Sequence, residues 1–344
     1  MPDQARGATR VVLHVGTPKS GTTFVQSALW EHRRSLRAQQ VHLPGRRQRD
    51  MFLAAVEVRE ASRFWGQPTD RIAGTWAELC HQAVGRSGTT ILSHELLGGA
   101  SPAQAERALS ALDGAEVHVV LTARDLVRQI TSEWQERVKN GNQNTFAAFA
   151  RKVRRHVRRE TFAGGFWRNQ DVVGVLDRWA GAVPPDRVHV VVAPPAGAEP
   201  QVLWERFAAA CGFDATGLDP LAAGARNPAL GTAQAAALRQ VNIALGGRIG
   251  QPDYERVVKH AFAETVLAAQ EGERPRCPAR LAAVLDEVAA GRNEVLRARG
   301  YRVHGGLDDL IGAPDQVGGS PDRVADQAVI SALARAVADL LERP

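Results

Sequence analysis

A short apolar run, a glycine-bounded turn and an amphipathic stretch open the chain and constrain its fold more than any other segment. Residues 11–15 are long enough for one buried strand, and residues 16–21 are rich in turn formers. From Thr22 onward, apolar side chains recur at helical spacing. A strand, a loop and a helix in this order direct backbone N–H groups and the positive helix end toward one point. The segment therefore predicts a cradle for a phosphate or sulfate group.

The position of the lysine distinguishes this loop from that of nucleotide kinases. The kinase loop has the pattern G-x-x-x-x-G-K-[ST], with its lysine directly before a hydroxyl residue. Gly16 and Gly21 keep the glycine spacing, but Thr22 stands at the lysine position and Lys19 lies inside the loop. A glycine-rich turn without a ligand is the alternative interpretation, although packing alone does not explain a lysine and several hydroxyls in one tight turn.

The loop consists of Gly16, Thr17, Pro18, Lys19, Ser20, Gly21, Thr22 and Thr23. This pattern resembles the 5′-phosphosulfate loop of sulfotransferases that use 3′-phosphoadenosine-5′-phosphosulfate (PAPS). The resemblance implies that all eight residues bind the cofactor. It further implies that Lys19 contacts the sulfuryl group and the bridging oxygen, while the residues from Ser20 to Thr23 hold the 5′-phosphate.

Strands and helices alternate along the first two hundred residues. Further strands are predicted at residues 40–44, 89–93, 116–122 and 187–192. The alternation predicts an α/β fold, with a central parallel sheet of about five strands and helices on both faces. Ligands of such sheets bind at the carboxyl ends of the strands, so the side chains that follow the strands are expected to converge on one site.

The C-terminal part of the chain is predicted to be helical. We expect a single α/β domain at residues 1–312, with a core at 10–245 and a helical extension at 246–312. Residues 313–321 are rich in Gly, Pro, Ser and Asp and predict a linker, and 322–344 predict an amphipathic helix. That helix is expected to dock either on the body of the protein or on a second subunit. The sequence therefore does not decide between a monomer and a homodimer.

An arginine and a serine are candidates for a second phosphate-binding element. Arg124 follows a predicted strand and Ser132 lies in the second turn of the next predicted helix. A guanidinium group and a hydroxyl suit a phosphate, and an arginine at a solvated helix start is the alternative. The pair resembles the 3′-phosphate motif of PAPS sulfotransferases, although Leu126 stands where that family often has proline. Arg226 lies in a segment that resembles a basic loop of bacterial sulfotransferases, which closes over the cofactor. The resemblance implies that Arg226 makes a further phosphate contact. The alternative is that Arg226 is an ordinary surface arginine.

His94 and Glu95 directly follow the strand predicted at residues 89–93. Transfer to a hydroxyl needs a base for the acceptor proton. The sulfotransferase resemblance leaves both residues open, since some members use histidine and others glutamate. Ser-x-Glu followed by two apolar residues is similar to bacterial members and favours Glu95, with His94 as the alternative. We expect the two adjacent side chains to diverge, so that only one of them faces the sulfuryl group. If Glu95 is the base, partial burial is expected to raise its pKa toward neutrality.

The composition of the chain limits which ligands it is expected to bind and in which cellular compartment it is expected to work. A net charge of +6 and a pI near 9.8 favour acidic ligands. The basic run at residues 151–159 lacks interleaved aromatic residues, so a solvated helix face or a rim that steers an acidic substrate is expected, and no nucleic acid. Cys80, Cys211 and Cys277 lack disulfide or zinc spacing, which predicts a reducing cytoplasm. No stretch reaches the roughly 18 apolar residues of a membrane span.

These features together lead to a cytoplasmic PAPS-dependent sulfotransferase as the main hypothesis. Its product nucleotide would be 3′-phosphoadenosine-5′-phosphate (PAP), and its acceptor a carbohydrate, lipid or small metabolite. The ten histidines do not cluster with carboxylates at ligand spacing, so no metal is expected. The alternatives are a P-loop phosphotransferase, for which Asp125 stands one residue late for a magnesium ligand, and a non-catalytic nucleotide-binding protein.

Overall fold

The computed structural model describes residues 9–162, 164–224 and 229–342. These residues belong to two units. Unit 1 contains the described residues up to Arg124 and those of 162–225 and 289–311. Unit 2 contains those of 125–161, 226–288 and 312–344. Each unit is described by itself, and the domain boundaries expected from the sequence stay a prediction.

Unit 1 is built on a parallel sheet of six strands. In chain order they are β1 (Thr9–His14), β2 (Val41–His42), β3 (Gly88–Ser93), β4 (Glu116–Ala123), β5 (Val188–Val192) and β6 (Arg302–His304). Their spatial order is β2-β3-β1-β4-β5-β6, and every neighbouring pair is parallel. The α/β fold predicted from the sequence is confirmed. The short edge strand β6 was not predicted, because it has three residues and Val303 is its only apolar one.

Helices connect the strands of unit 1 and make up most of the described part of unit 2. The α-helices are α1 (Thr22–Glu31), α2 (Arg33–Ala38), α3 (Gln48–Val58), α4 (Thr69–Ile72), α5 (Thr75–Val84), α6 (Pro102–Ser110), α7 (Leu126–Lys139), α8 (Phe146–Arg158), α9 (Phe166–Gln170), α10 (Val172–Trp179), α11 (Pro200–Cys211), α12 (Thr232–Leu245), α13 (Gln251–Asp253), α14 (Ala279–Ala298) and α15 (Asp326–Leu341). The 3₁₀ helices are Glu95–Gly99, Pro185–Arg187, Leu307–Leu310 and Pro314–Gln316, and Tyr254–Leu267 is a π-helix.

The central strands of unit 1 are buried on both faces. Alternate residues of a strand point to opposite sides of the sheet. Val11 and Leu13 belong to one apolar cluster with helices that include α3, α5, α6 and α10. Val12 belongs to a second cluster with Val25 of α1 and Phe207 of α11. Two covered faces explain why the strands are nearly continuous apolar runs in the sequence.

Unit 2 contains the C-terminal helix. Ala332 and Ala336 of α15 are buried, and Gln270 Nε2 donates to the Ala332 carbonyl at 3.1 Å. The segment 313–321 contains a short 3₁₀ helix and Val317–Gly318, which pairs in parallel with Cys277–Pro278. The helix therefore docks within its own chain, and the oligomeric state stays a prediction. Within the described residues, no helix combines the length and apolar character needed to cross a membrane.

Candidate functional site

The turn between β1 and α1 has an unusual backbone. Gly16 and Gly21 have φ values of 35° and 94°, and Lys19 adopts a positive φ of 69°. A Cβ at Gly16 would lie 2.6 Å from Thr22 Cγ2, so only glycine fits there. A left-handed lysine costs of order 1 kcal/mol, and such strain concentrates where a ligand is bound. No acidic residue lies in the first turn of α1, and no side chain caps it, which suits an anion at this helix end.

Two hydroxyls of the turn brace it against β4. The backbone N–H and the hydroxyl of Thr17 donate to the Thr122 carbonyl at 2.9 and 3.1 Å. Ser20 Oγ donates to the Thr17 carbonyl at 2.7 Å and lies 2.7 Å from Thr122 Oγ1. These side chains are buried and form part of the support of the loop.

His14, the last residue of β1, joins three strands beneath the turn. Its Nδ1 lies 2.7 Å from Ser93 Oγ at the end of β3, and its Nε2 lies 3.2 Å from Thr122 Oγ1 on β4. The side chain is fully buried, and burial lowers the pKa of His14 from 6.5 to about 4. The imidazole is therefore neutral at physiological pH. Its two ring nitrogens connect the end of β3, through Ser93, with Thr122, which braces the turn.

His94 and Glu95 lie where β3 passes into the 3₁₀ helix Glu95–Gly99. His94 Nδ1 accepts the backbone N–H of Leu96 at 3.2 Å and caps that helix. Glu95 Oε2 accepts a hydrogen bond from Gln26 Nε2 of α1 at 3.0 Å. The expectation that the two adjacent side chains diverge is wrong, since His94 Nδ1 lies 3.7 Å from Glu95 Oε2. The tight turn of the 3₁₀ helix brings them to the same side.

The expected rise of the pKa of Glu95 is also wrong. Burial by itself raises the pKa of Glu95, but His94, the backbone N–H of Glu95 and the Gln26 amide favour the carboxylate, and the net pKa is lowered. Burial lowers the pKa of His94, against the opposite influence of Glu95. The pair is therefore an ionised glutamate beside a neutral histidine.

The remaining predicted residues, Arg124, Ser132 and Arg226, do not lie together in one unit of the described chain. Arg124 directly follows β4, the strand that braces the turn, and belongs to unit 1. Ser132 lies on α7 in unit 2, so its contact with a common ligand stays a prediction. Arg226 lies outside the described residues. The basic residues of 151–159 are mostly exposed on α8 and at its end, and a role in steering an acidic substrate stays a prediction.

The sheet order brings the other candidates together. β1 lies between β3 and β4, so the Lys19 turn, Glu95 and Arg124 follow the carboxyl ends of three adjacent parallel strands. This is where ligands of open α/β sheets bind. Among the described residues, no group of three or more His, Cys, Asp or Glu side chains is arranged to hold a metal ion.

Sequence reasoning missed two residues that support this site, His14 and Gln26. Each is a polar residue inside an otherwise apolar pattern, and both are buried. A polar residue on a buried face needs a hydrogen-bond partner, so this pattern could have marked them. The identity of the partners depends on the pairing of β1 with β3 and β4 and on the packing of α1, which the sequence does not contain.

Comparisons with known proteins give little further information. No protein-family model matches the chain, and a search of curated proteins found no match. Among solved structures, the chain is similar to the crystal structure of a sulfotransferase from Alicyclobacillus acidocaldarius. The sequence identity is 14%, the TM-score is 0.41, and the match covers 74% of this chain and 96% of that one. Such a distant similarity assigns no activity, so the function must be argued from the site.

Proposed function

We propose that the protein is a sulfotransferase that moves a sulfuryl group from PAPS to a hydroxyl or amine of a carbohydrate, lipid or small-metabolite acceptor. The observation that carries the proposal is the turn before α1, with Lys19 in a left-handed conformation and Glu95 at the end of the neighbouring strand β3. An anion cradle with its lysine inside the loop, next to a carboxylate, suits transfer of a sulfuryl group to a nucleophile that must lose a proton.

The residues of the turn fit a phosphosulfate group. Gly16 and Gly21 allow the backbone to approach the ligand closely, and the first N–H groups of α1 suit the 5′-phosphate. The bound donor would supply the electrophilic sulfur, and in-line attack by the acceptor would give the sulfated product and PAP. Lys19 would stabilise the negative charge that develops on the bridging oxygen. Arg124 and Ser132 are the proposed contacts of the 3′-phosphate, together with Arg226.

Glu95 is the proposed base. Its lowered pKa leaves the carboxylate ionised at neutral pH, ready to accept the acceptor proton. His94 is less suited, because Nδ1 accepts the Leu96 N–H. A neutral imidazole bonded in this way carries its proton on Nε2 and has no second free lone pair. His94 would then donate a hydrogen bond through Nε2 and not remove a proton.

The kinase alternative is weaker. The Asp125 carboxylate, the candidate magnesium ligand, accepts the backbone N–H of Arg128 at 2.8 Å and caps α7. It also pairs with the Arg128 guanidinium. An aspartate used in this way serves the helix, and no lysine precedes a hydroxyl residue at the start of α1.

Nucleotide-dependent thermal unfolding tests the proposal. PAP at about 100 times its Kd is expected to stabilise the protein by about 2.7 kcal/mol, with a clear rise in Tm. ATP with Mg²⁺ at the same concentration is expected to give a smaller rise. Arg124→Ala should reduce the PAP shift toward that of adenosine 5′-phosphate, whereas Arg151→Ala, on the exposed face of α8, should not. Equal shifts with PAP and ATP, or a larger one with ATP, would contradict the proposal.

A further inference from the structure

Two arginines, Arg59 and Arg178, contact the 3₁₀ helix that begins at Glu95, and a third, Arg168, lies on the neighbouring helix α9. Arg59 follows the last residue of α3, and its guanidinium lies against Gly99, where an added Cβ would be 2.7 Å from Arg59 Cζ. Arg178 Nη2 donates to the carbonyls of Gly98 and Arg168 at 2.8 and 2.6 Å. Arg178 therefore fixes α9, which carries Arg168, to the same 3₁₀ helix.

The same elements contact the turn that precedes Lys19. A Cβ added at Gly98 would lie 2.8 Å from the Gly16 carbonyl oxygen. On α9, Gln170 Nε2 donates to the Pro18 carbonyl at 3.0 Å. The arginines are thus attached to the structural support of the candidate site, and they are not on a separate surface of unit 1.

No side-chain carboxylate of the described residues forms an ion pair with Arg59 or Arg168. The nearest carboxylate in sequence, Glu60, pairs with Arg107 instead. Burial, and then the charge of Arg168, lowers the pKa of Arg59, so its guanidinium is a partly buried cation within electrostatic range of Arg168.

This arrangement differs from that of ordinary surface arginines. Long cationic side chains usually extend their charged ends into water, away from one another. Here the Arg59 guanidinium packs on a glycine backbone, and Asn169 Oδ1 would lie 2.5 Å from the same added Cβ at Gly99. Repulsion between like charges and partial desolvation both cost free energy. An anionic group bound by both guanidinium groups would offset both costs.

We infer that Arg59 and Arg168 bind an acidic group of the acceptor, so that the protein acts on hydroxylated or aminated acids. This inference rests on the proposed sulfotransferase function. A carboxylate, sulfate or phosphate accepts paired hydrogen bonds from a guanidinium group. Gly99 lies four residues after Glu95 in a 3₁₀ helix, which rises about 2 Å per residue. Gly99 is therefore displaced from Glu95 by roughly 8 Å along the helix axis, so the acidic group is expected on the same small acceptor as the reacting hydroxyl.

Matched pairs of small acceptors test the inference. The probes are D-glucuronate against D-glucose, and 4-hydroxybenzoate against 4-hydroxybenzyl alcohol. Calorimetry measures their binding to the full-length protein saturated with PAP. We expect each acid to bind at least tenfold more tightly than its neutral partner. Arg168→Gln should reduce the preference several-fold, and Arg59→Gln with Arg168→Gln should abolish it.

Two controls separate the possible outcomes. Arg168 is exposed, so its replacement should leave the fold intact even if the double variant is unstable. Arg151→Gln, an exposed arginine on α8, should leave the acid preference unchanged. The inference is overturned if acid and neutral partners bind alike in both pairs, including no binding by either, or if Arg168→Gln keeps the full preference. The PAP shift is measured on the same samples, so an intact PAP shift without acid preference rejects only the acidic acceptor.

Discussion

Two groups of buried polar side chains lie on one face of the sheet in unit 1, and they differ in what they support. One is His14 with Ser93 and Thr122, at the carboxyl ends of β1, β3 and β4. The other is a row of histidines, His118, His189 and His304, on β4, β5 and β6. Both lie on the side of the sheet that carries Val12, Val120 and Val191, since alternate residues share a face.

The histidine row is a ladder of hydrogen bonds across three strands. His118 Nδ1 lies 3.1 Å from His189 Nε2, and His189 Nδ1 lies 3.0 Å from His304 Nε2. At one end, His118 Nε2 lies 2.8 Å from Glu116 Oε1. These contacts are all satisfied when each imidazole carries its proton on Nε2. The ladder joins the edge strand β6 to β5 and β4.

The comparison teaches that a buried imidazole is not by itself a sign of an active site. His14 bonds to hydroxyls that continue through Ser20 into the Lys19 turn, so it supports a place where strand ends and a helix start meet. His189 bonds to other strand residues only. We therefore expect changes near the first group to alter turnover, and changes in the ladder to alter stability.

The largest expected effect is that of Lys19→Ala. Loss of the cation at the developing negative charge should reduce the rate of sulfuryl transfer by about 10²–10³-fold. The measurement is transfer of labelled sulfuryl groups from PAPS to an acceptor. Lys152→Ala on the exposed part of α8 is the matched control and should retain full activity. Retained transfer by Lys19→Ala would remove the turn from the mechanism.

Glu95→Gln should have the next largest effect. The amide keeps the size of the side chain but cannot accept the acceptor proton, so kcat should fall by about 10²–10⁴-fold. The affinity for PAP, measured by calorimetry, should stay within a factor of two or so, as expected for a group that acts on the acceptor. If turnover is undiminished while His94→Gln is inactive, the base is His94.

His14→Phe and His189→Phe compare the two groups directly. Each replacement leaves buried polar groups without partners and should lower the free energy of unfolding by about 1–3 kcal/mol. Only His14→Phe should also reduce kcat, by about tenfold or more, because the turn and the end of β3 lose their common support. Denaturant unfolding and transfer kinetics on the folded fraction give the two numbers. An equal loss of kcat in both variants would erase the distinction between the groups.

Acid should destabilise the protein through these same histidines. Burial lowers the pKa of His14 to about 4, and burial with the neighbouring His304 lowers that of His189 to about 3. In the unfolded chain both have a pKa near 6.5. The unfolded state therefore binds more protons below pH 6.5, so the stability is complete above that pH and is lost as the pH falls.

The size of the acid effect can be measured at a single site. For His14 the loss between pH 7 and pH 4 should be about 3 kcal/mol. Denaturant unfolding at several pH values measures the free energy of unfolding. This free energy should depend less steeply on pH in His14→Phe than in the unmodified protein. The same slope in both would show that His14 is not the titrating group.

The smallest expected effect is that of Gln26→Met. The amide of Gln26 donates to Glu95 Oε2 and helps to lower the pKa of Glu95. Without it, the acid limb of the kcat/KM profile should move to higher pH, with little change in kcat above pH 7. Gln26→Glu is not a suitable control, because it adds a second carboxylate. An unmoved acid limb would show that another group titrates.

The extent of successful sequence prediction differs between the sheet and the site. Strands β1 to β5 were predicted because each is a short apolar run bounded by turn residues. Strand β6 was missed because its local apolar pattern is weak. It forms through its pairing with β5, which the sequence does not reveal. The candidate residues after β1, β3 and β4 were predicted from their positions at strand ends and from the resemblance to PAPS sulfotransferases. The predicted direction of the pKa shift of Glu95 was wrong, because the shift depends on the contacts of the carboxylate with Gln26 and His94.

The sequence by itself determined the strand, the glycine-bounded turn and the helix start around Lys19, since residues adjacent in the chain fix them locally. It also determined the parallel α/β fold, through the alternation of apolar runs and helical spacing. Only the tertiary structure decided which groups surround this turn. His14 meets Thr122 and Ser93 because β1 lies between β4 and β3, and Arg59 meets Gly99 through packing between distant segments. Such contacts depend on strand order and helix packing, which set the distances between residues far apart in the chain.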